Sequence, residues 1–272
     1  MAAGDIKTVV ADRFEHKPAV VLDGVDDYVL ADAHAVARVA ANDVVGTYSA
    51  WIMVDNVTSG ATHTILSAGD NSSVNEFMFL GLVSGLLRVK LEHGGATQFE
   101  VKAINQIKPN VWTHIAIVQE GRPILYINGK KIETTDVTST DLTMWYDELT
   151  LTDKFAIGTK ESNNTHTQDF LGAIGRVKYW DLALTPQQVN DDYNGNVLAV
   201  DSTNLQFDMK MEGNFTDDGL GADDGTGVGN DYFDPEFAQL TSKLRVMGPV
   251  VADNFSIAAT QGSIHAAVVK AA

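Results

Sequence analysis

The sequence predicts an all-β chain built as a two-sheet antiparallel sandwich. Three observations carry this. Short runs alternate apolar and polar residues at the two-residue period of a half-buried strand. Turn dipeptides separate the runs. The gaps leave no room for the crossover helices that parallel strands need.

Taken in order, the first apolar run ends in "LDGVDDYVL" (22–30). There Asp23-Gly24 and Asp26-Asp27 fit a tight turn between two strands, since Asp and Gly supply the backbone shapes and local hydrogen bonds of turns. "TYSAWIMV" (47–54) and "FMFLGLV" (77–83) are the next strands. In "GLLRVKLE" (85–92), Leu87, Val89 and Leu91 face one way, and Arg88, Lys90 and Glu92 the other. "QFEVKA" (98–103) repeats the pattern with Phe99 and Val101 inward. The Gly pair in "HGGATQ" makes a hairpin of these two runs. "WTHIAIVQ" (112–119) follows, then "RPILYINGKKI" (122–132), where Asn128-Gly129 marks a type I′ hairpin. "KFAIGT" (154–159) and "GRVKYWDL" (175–182) close the strand list, with Trp51, Trp112 and Trp180 expected in the core. One helix stands out in "LTPQQVNDDYNG" (184–195), with Thr185 as N-cap, Pro186 at the first helical position, Gln188 three residues after the cap and Gly195 as a stop. "DPEFAQLTSKL" (234–244) is a weaker helix candidate.

Bulk properties narrow the function classes. A chain of 272 residues buries a sizeable core without staples. It has no cysteine, which excludes disulfides, thiolate metal sites and a Cys nucleophile. With 19 Lys and Arg against 36 Asp and Glu, the net charge of -17 disfavours nucleic acid and anionic lipid as partners. The start, "MAAGDIKTVVADRFEHK", is not a secretory signal, and no apolar run approaches the ~18 residues of a membrane helix. The chain is therefore expected to be made in the cytoplasm. After about residue 212 the composition shifts. "NFTDDGLGADDGTGVGND" (214–231) reads as a long loop or cation-binding segment, and 246–272 as a small, apolar stretch that adds a strand or lies along a neighbouring subunit.

Four stretches together resemble the LamG-like jelly roll of the concanavalin A-like lectin/glucanase superfamily. They are "AVVLDGVDDYVLA" (19–31), "YSAWIMV" (48–54), "VWTHIAIVQEGRPILYINGKKI" (111–132) and "FLGAIGRVKYWDLALTPQQVNDDYNG" (170–195). The resemblance implies a convex and a concave antiparallel sheet, and many relatives bind carbohydrate. "LQFDMKMEGNFTDDGLGADDGTGVGN" (205–230) is similar to a family segment that usually precedes the opening strands, although here it follows the closing helix. Relatives often hold a structural cation with two acids in the closing strand. This sequence has Gly175 and Arg176 there, and Arg176 would repel a cation.

The catalytic templates fail. A retaining glycosidase on this fold would carry E-x-D-x-x-E on one strand, which places its carboxylates on one face about 5–5.5 Å apart. That signature is absent, as are G-x-S-x-G and H-E-x-x-H. An EF-hand loop starting at Asn214 fails at its twelfth position, Gly225. His114 is expected to pack and hydrogen-bond. No cofactor is expected beyond a structural Ca²⁺, held by Asp26 or Asp27 or by the 217–231 loop. The candidate ligand-binding residues are Trp145 and Tyr146, in the polar loop "TSTDLTMWYDEL" (138–149), and Asn163, Asn164 and His166, in "KESNNTHTQD" (160–169). Trp145 reads either as an exposed sugar platform or as a plug closing one end of the sandwich, and 160–169 either as binding residues or as a solvated loop.

The expected organisation is an N-terminal arm (1–17), a LamG-like jelly roll (18–195), an acidic Gly/Asp-rich segment (196–231) on or beside the sandwich, and a C-terminal assembly segment (232–272). The expected function is non-enzymatic. One reading is a virion structural protein of capsid-decoration or head-fibre type, prompted by a start similar to those of tailed-phage virion proteins. It would sit on the virion surface against the major capsid protein and further copies of itself, and would contact glycans. The alternative is a bacterial carbohydrate-binding module or adhesin.

Overall fold

The computed structural model describes residues 19–229 and the two-residue strand at 232–233. The expected N-terminal arm, the weak helix at 234–244 and nearly all of the C-terminal segment lie outside the described residues. The strands are β1 (Ala19–Asp23), β2 (Tyr28–Leu30), β3 (Gly46–Val54), β4 (Thr62–Gly69), β5 (Phe77–Val83), β6 (Leu86–His93), β7 (Ala96–Gln106), β8 (Thr113–Gln119) and β9 (Pro123–Ile127). They continue with β10 (Lys130–Lys131), β11 (Thr134–Ser139), β12 (Lys154–Ile157), β13 (Lys160–Ser162), β14 (Thr165–Thr167), β15 (Leu171–Trp180), β16 (Leu205–Met209), β17 (Thr226–Val228) and β18 (Tyr232–Phe233). Among the described residues three helices join them: α1 (Asp32–Ala41), α2 (Pro186–Tyr193) and the single turn α3 (Asp201–Asn204).

Sixteen of the strands form two antiparallel eight-stranded sheets, a jelly-roll sandwich, and β13 and β14 pair as a separate hairpin. The first runs β10-β9-β8-β3-β15-β1-β18, and the second β11-β7-β6-β5-β4-β12-β2-β17. In the first sheet β15 is long enough to take two partners on one edge, β1 at Leu171–Gly175 and then β16 from Val177. Gly175 and Arg176 fall at an irregularity in the β15–β3 register.

The core lies between the sheets, and the alternation read from the sequence places it. Leu87, Val89, Leu91, Phe99 and Val101 are fully buried there. A second apolar cluster covers the outer face of the first sheet, where Val189 of α2 and Leu184, Leu198 and Leu205 pack on Ala116, Val118, Tyr126 and Trp180. Helix α2 starts as its sequence dictates. The Thr185 hydroxyl accepts from the Gln188 N–H, and the Gln188 side chain returns to the Thr185 N–H.

Three features depart from the sequence reading. Helix α1 was not expected. It is an Ala-rich run with no side-chain N-cap, which ends on Asn42 in the left-handed region at φ 61°. Trp51 and Trp112 are half-buried rather than core, and only Trp180 of that trio is fully buried. The segment 205–229 is built into the sandwich, since β16 extends the first sheet and β17 caps β2 in the second. Among the described residues no helix is long and apolar enough to cross a membrane.

Candidate functional site

With α2 packed on the β8, β9 and β15 part of the first sheet's outer face, the outer face of the second sheet is the candidate site. Strand register fixes its rows. Glu100, Lys90, Phe79 and Ser67 stand side by side across β7, β6, β5 and β4, and Lys102, Arg88 and Gly81 form the next row. A third row aligns Glu92, Phe77, Gly69 and Lys154. Arg88 pairs with Glu100, Lys90 with Glu92 at 2.8 Å, and Lys154 with Asp32 at 2.7 Å. The Phe79 ring lies over Gly81, where a Cβ would meet ring carbons at 2.5 Å.

The hairpin β13–β14 sits against this face. Its backbone approaches β4 so closely that a Cβ on Gly69 would stand 2.4 Å from the Glu161 carbonyl oxygen. The Glu161 N–H donates to Ser67 Oγ at 3.1 Å, and Ser162 Oγ donates to the Ser73 carbonyl at 3.3 Å. At the tip, Asn163 and Asn164 both take positive φ, 54° and 52°, which suits a two-residue hairpin turn, and both are exposed. His166 lies opposite Glu161 in the hairpin register and stacks on Tyr28 with ring centroids 4.3 Å apart.

The electrostatics of this corner are unusual. Glu161 is 2% exposed, and its Oε2 atom has no hydrogen-bond partner. Its Oε1 lies 3.7 Å from His166 Nε2, beyond a good hydrogen bond. Burial, with the nearby Asp32 charge, pushes the Glu161 carboxyl up to about 7. Burial moves His166 down from its ordinary value, and Tyr28 up, with Glu161 adding to the latter. Lys160 is held down by burial and by the neighbouring Lys90 charge.

Of the five residues expected to bind ligand, the structure brings three together. Asn163, Asn164 and His166 share the hairpin. Trp145 and Tyr146 do not join them, because both are fully buried in the core. Trp145 Nε1 donates to the Tyr179 hydroxyl at 3.2 Å, and the Tyr146 and Tyr48 hydroxyls are 2.6 Å apart. Each ring finds its polar partner inside, so the loop folds in as the plug, and an exposed platform at Trp145 and Tyr146 is ruled out. The sequence reading missed Glu161, Lys160, Phe77 and Phe79 as parts of this face. The outward alternation of Arg88, Lys90 and Glu92 was the available signal for it.

The expected cation positions resolve differently. Asp23, Asp26 and Asp27 have carboxylate oxygens within 4.8 Å of one another, and among the described residues they are the one such acidic group. Turn chemistry engages them: Asp23 Oδ1 accepts from the Val25 and Asp26 N–H groups, and Asp27 Oδ2 from the Asp23 N–H. Arg176 forks onto Asp208. In the acidic segment, Asp217 accepts from the N–H groups of Asp208, Gly219 and Asp223, at 2.7, 2.7 and 2.8 Å. Asp218 pairs with Lys210 at 2.7 Å. His114 Nε2 donates to the Asp192 carboxylate of α2 at 3.1 Å.

This is the architecture of a lectin-like jelly roll. A profile described as the Concanavalin A-like lectin/glucanases superfamily matches residues 23–190, and the chain belongs to that family. A comparison with curated protein sequences found no match. Among solved structures, the chain is similar to the CBM40 of the Ruminococcus gnavus IT-sialidase bound to α2,3 sialyllactose, with a TM-score of 0.55 and 17% identity over 65% of this chain and 97% of that one. It is also similar to a leech intramolecular trans-sialidase, with a TM-score of 0.54 and 15% identity over 66% of this chain and 27% of that one. A provisionally assigned carbohydrate-binding protein from Bacteroides ovatus aligns with a TM-score of 0.51 and 18% identity over 79% of this chain and 60% of that one. At these identities the likeness speaks to the fold.

Proposed function

We propose that the protein is a non-catalytic carbohydrate-binding module that engages its ligand with the β13–β14 hairpin and the adjoining outer face of the second sheet. The observation that carries this reading is the hairpin itself. A close backbone packing on Gly69 fixes it to the sheet, and it presents two exposed amides and a half-buried imidazole stacked on Tyr28, backed by the buried Glu161 carboxyl. Amides, carboxyls and rings fixed on a rigid scaffold are what a sugar's hydroxyls and apolar faces require. The likeness to carbohydrate-binding structures supports it. Glu92 and Glu100 are each ion-paired to a cation on the same face, which argues against a free catalytic pair there.

A virion placement rests on the start and tail of the chain, outside the described residues, and on its lack of cysteine and of catalytic motifs. The comparisons favour the carbohydrate-binding module over it. Mass spectrometry of purified particles bears on that placement independently.

The test is a glycan microarray carrying neutral and acidic oligosaccharides, sialyllactose included, followed by calorimetry on the hits. Asn163→Gly and Asn164→Gly keep the turn geometry while removing an amide. Each is expected to weaken binding about tenfold, the worth of one or two polar contacts, with an unchanged melting temperature. A protein that binds nothing on the array, or whose hairpin variants bind as well as the parent, would refute the assignment.

A further inference from the structure

Five of the chain's 19 Lys and Arg residues, Arg88, Lys90, Lys102, Lys154 and Lys160, lie on or beside the outer face of the second sheet. Carboxylates are abundant in this acidic chain, and three of these cations have one: Arg88, Lys90 and Lys154. Lys160 forms no ion pair among the described residues. Its ammonium stands 3.6 Å from the Phe77 ring centroid, and the Lys90 ammonium lies over the same ring at 5.2 Å. Phe77 is 5% exposed, so the two lysine stems and the ring form a packed unit on the sheet surface.

A ring face attracts an ammonium, yet it accepts no conventional hydrogen bond in the plane of its edge and carries no net charge. One carboxylate, Glu92, bonded to Lys90 and acting on Lys160 only through space, therefore serves two cations beside one ring and leaves the Lys160 N–H donors without an ion-pair partner. Burial and mutual repulsion both disfavour the charged form of Lys160. An anion in contact with the two ammonium groups screens their repulsion and offsets the cost of burial with an opposite charge.

We propose that Lys160 and Lys90, held over Phe77, form an anion subsite that takes the carboxylate or sulfate group of an acidic sugar. This rests on the carbohydrate-binding reading above. Lys160 opens the same hairpin that carries Asn163, Asn164 and His166, so an acidic substituent held there places the rest of the sugar within reach of the hairpin. A charge-assisted contact in a half-buried setting is also stronger than a neutral one.

The experiment measures binding of trigalacturonic acid, a sulfated heparin-derived tetrasaccharide and neutral maltotriose to the full chain and to two variants. The unmodified chain is expected to prefer one or both acidic oligosaccharides over maltotriose at least tenfold, with affinity falling as salt rises from 50 to 500 mM. Lys160→Gln should remove that preference while its melting temperature stays near the parent's, and Lys160→Arg should retain most of it. The carboxylate and sulfate probes separate the two sources of the anion. Equal binding of acidic and neutral sugars, or an unchanged preference in Lys160→Gln, overturns the subsite and leaves the carbohydrate-binding reading standing. Binding of no oligosaccharide on the array or in solution overturns both.

Discussion

At the residue scale, Glu161 is the group whose chemistry departs furthest from what its sequence neighbours suggest. The segment "KESNNTHTQD" looks like a solvated loop, and a Glu there should titrate near 4.5. Packing against Ser67 and Gly69 buries it instead, and its carboxyl rises to about 7. The sign of the consequence follows from linkage. A carboxyl whose folded value is raised favours folding in its protonated form. That contribution is complete below about 4.5 and is lost as pH rises through 7. A shift of this size is worth up to about 3 kcal/mol. Glu161→Gln keeps the shape and removes the titration. Urea denaturation of both proteins at pH 5 and pH 8 should show the parent losing stability relative to the variant at the higher pH. A stability difference that is flat between the two pH values would show that Glu161 titrates as an exposed carboxyl does. Asp192 behaves in the opposite sense. Burial pushes its carboxyl up, but bonds from His114 and Lys178 outweigh that and hold it well below its usual value, so it anchors α2 over the whole working range.

At the element scale, the β13–β14 hairpin depends on one missing side chain. A Cβ on Gly69 would stand 2.4 Å from the Glu161 carbonyl oxygen, which is backbone and cannot swing away. Gly69→Ala must therefore push the hairpin off β4. The expected cost is about 1–3 kcal/mol, a few degrees in melting temperature, together with loss of the glycan binding proposed for the hairpin. Amide exchange should speed up at Glu161 and Asn163 while the β6–β7 hairpin stays protected; uniform protection would show that the hairpin tolerates the methyl. How much the sequence reveals also differs by element. Strands β6 and β7 and the helix α2 are legible, because alternation and a capping box are local signals. Helix α1 is not, because Ala and Val at nearly every position leave no clear polar face and Ala31 makes no side-chain cap. Strand β4, "THTILSAG", is buried on both faces and carries an irregularity against β5, so it shows no clean period. Whether a ring in a polar loop points in or out is not a local property either. Trp145 went inward because Tyr179 and Tyr48 line a hole that its loop fills.

At the scale of the whole molecule, the acidic segment 205–229 decides how the two sheets are joined. Its Gly and Asp composition reads as a loop, since it offers few side chains to bury. The structure spends Asp217 and Asp224 on backbone N–H groups, and Asp208 and Asp218 on Arg176 and Lys210, and a segment so satisfied needs little apolar mass. Phe207 and Met209 enter the core, and Phe207 packs on His34 and Phe155 at 4.7 and 5.7 Å. Further along, β17 closes the edge of the second sheet against β2. One segment thus touches both sheets, and it falls in the same compact unit as the sandwich. Its resemblance to an element that normally precedes the opening strands becomes intelligible, because pairing with β2 is available from either direction along the chain. Asp217 is the staple of this arrangement. Asp217→Ala leaves the N–H groups of Asp208, Gly219 and Asp223 without their acceptor, at about 1–3 kcal/mol for each that water cannot reach. If the segment is part of the cooperative fold, the urea midpoint of the sandwich falls in one transition, read from tryptophan fluorescence in a Trp180→Phe background, because Trp180 itself pairs with Leu205 of the segment while buried Trp145 remains as a reporter. An early, separate loss of structure in 205–229, with the main midpoint unmoved, would make the segment an appendage.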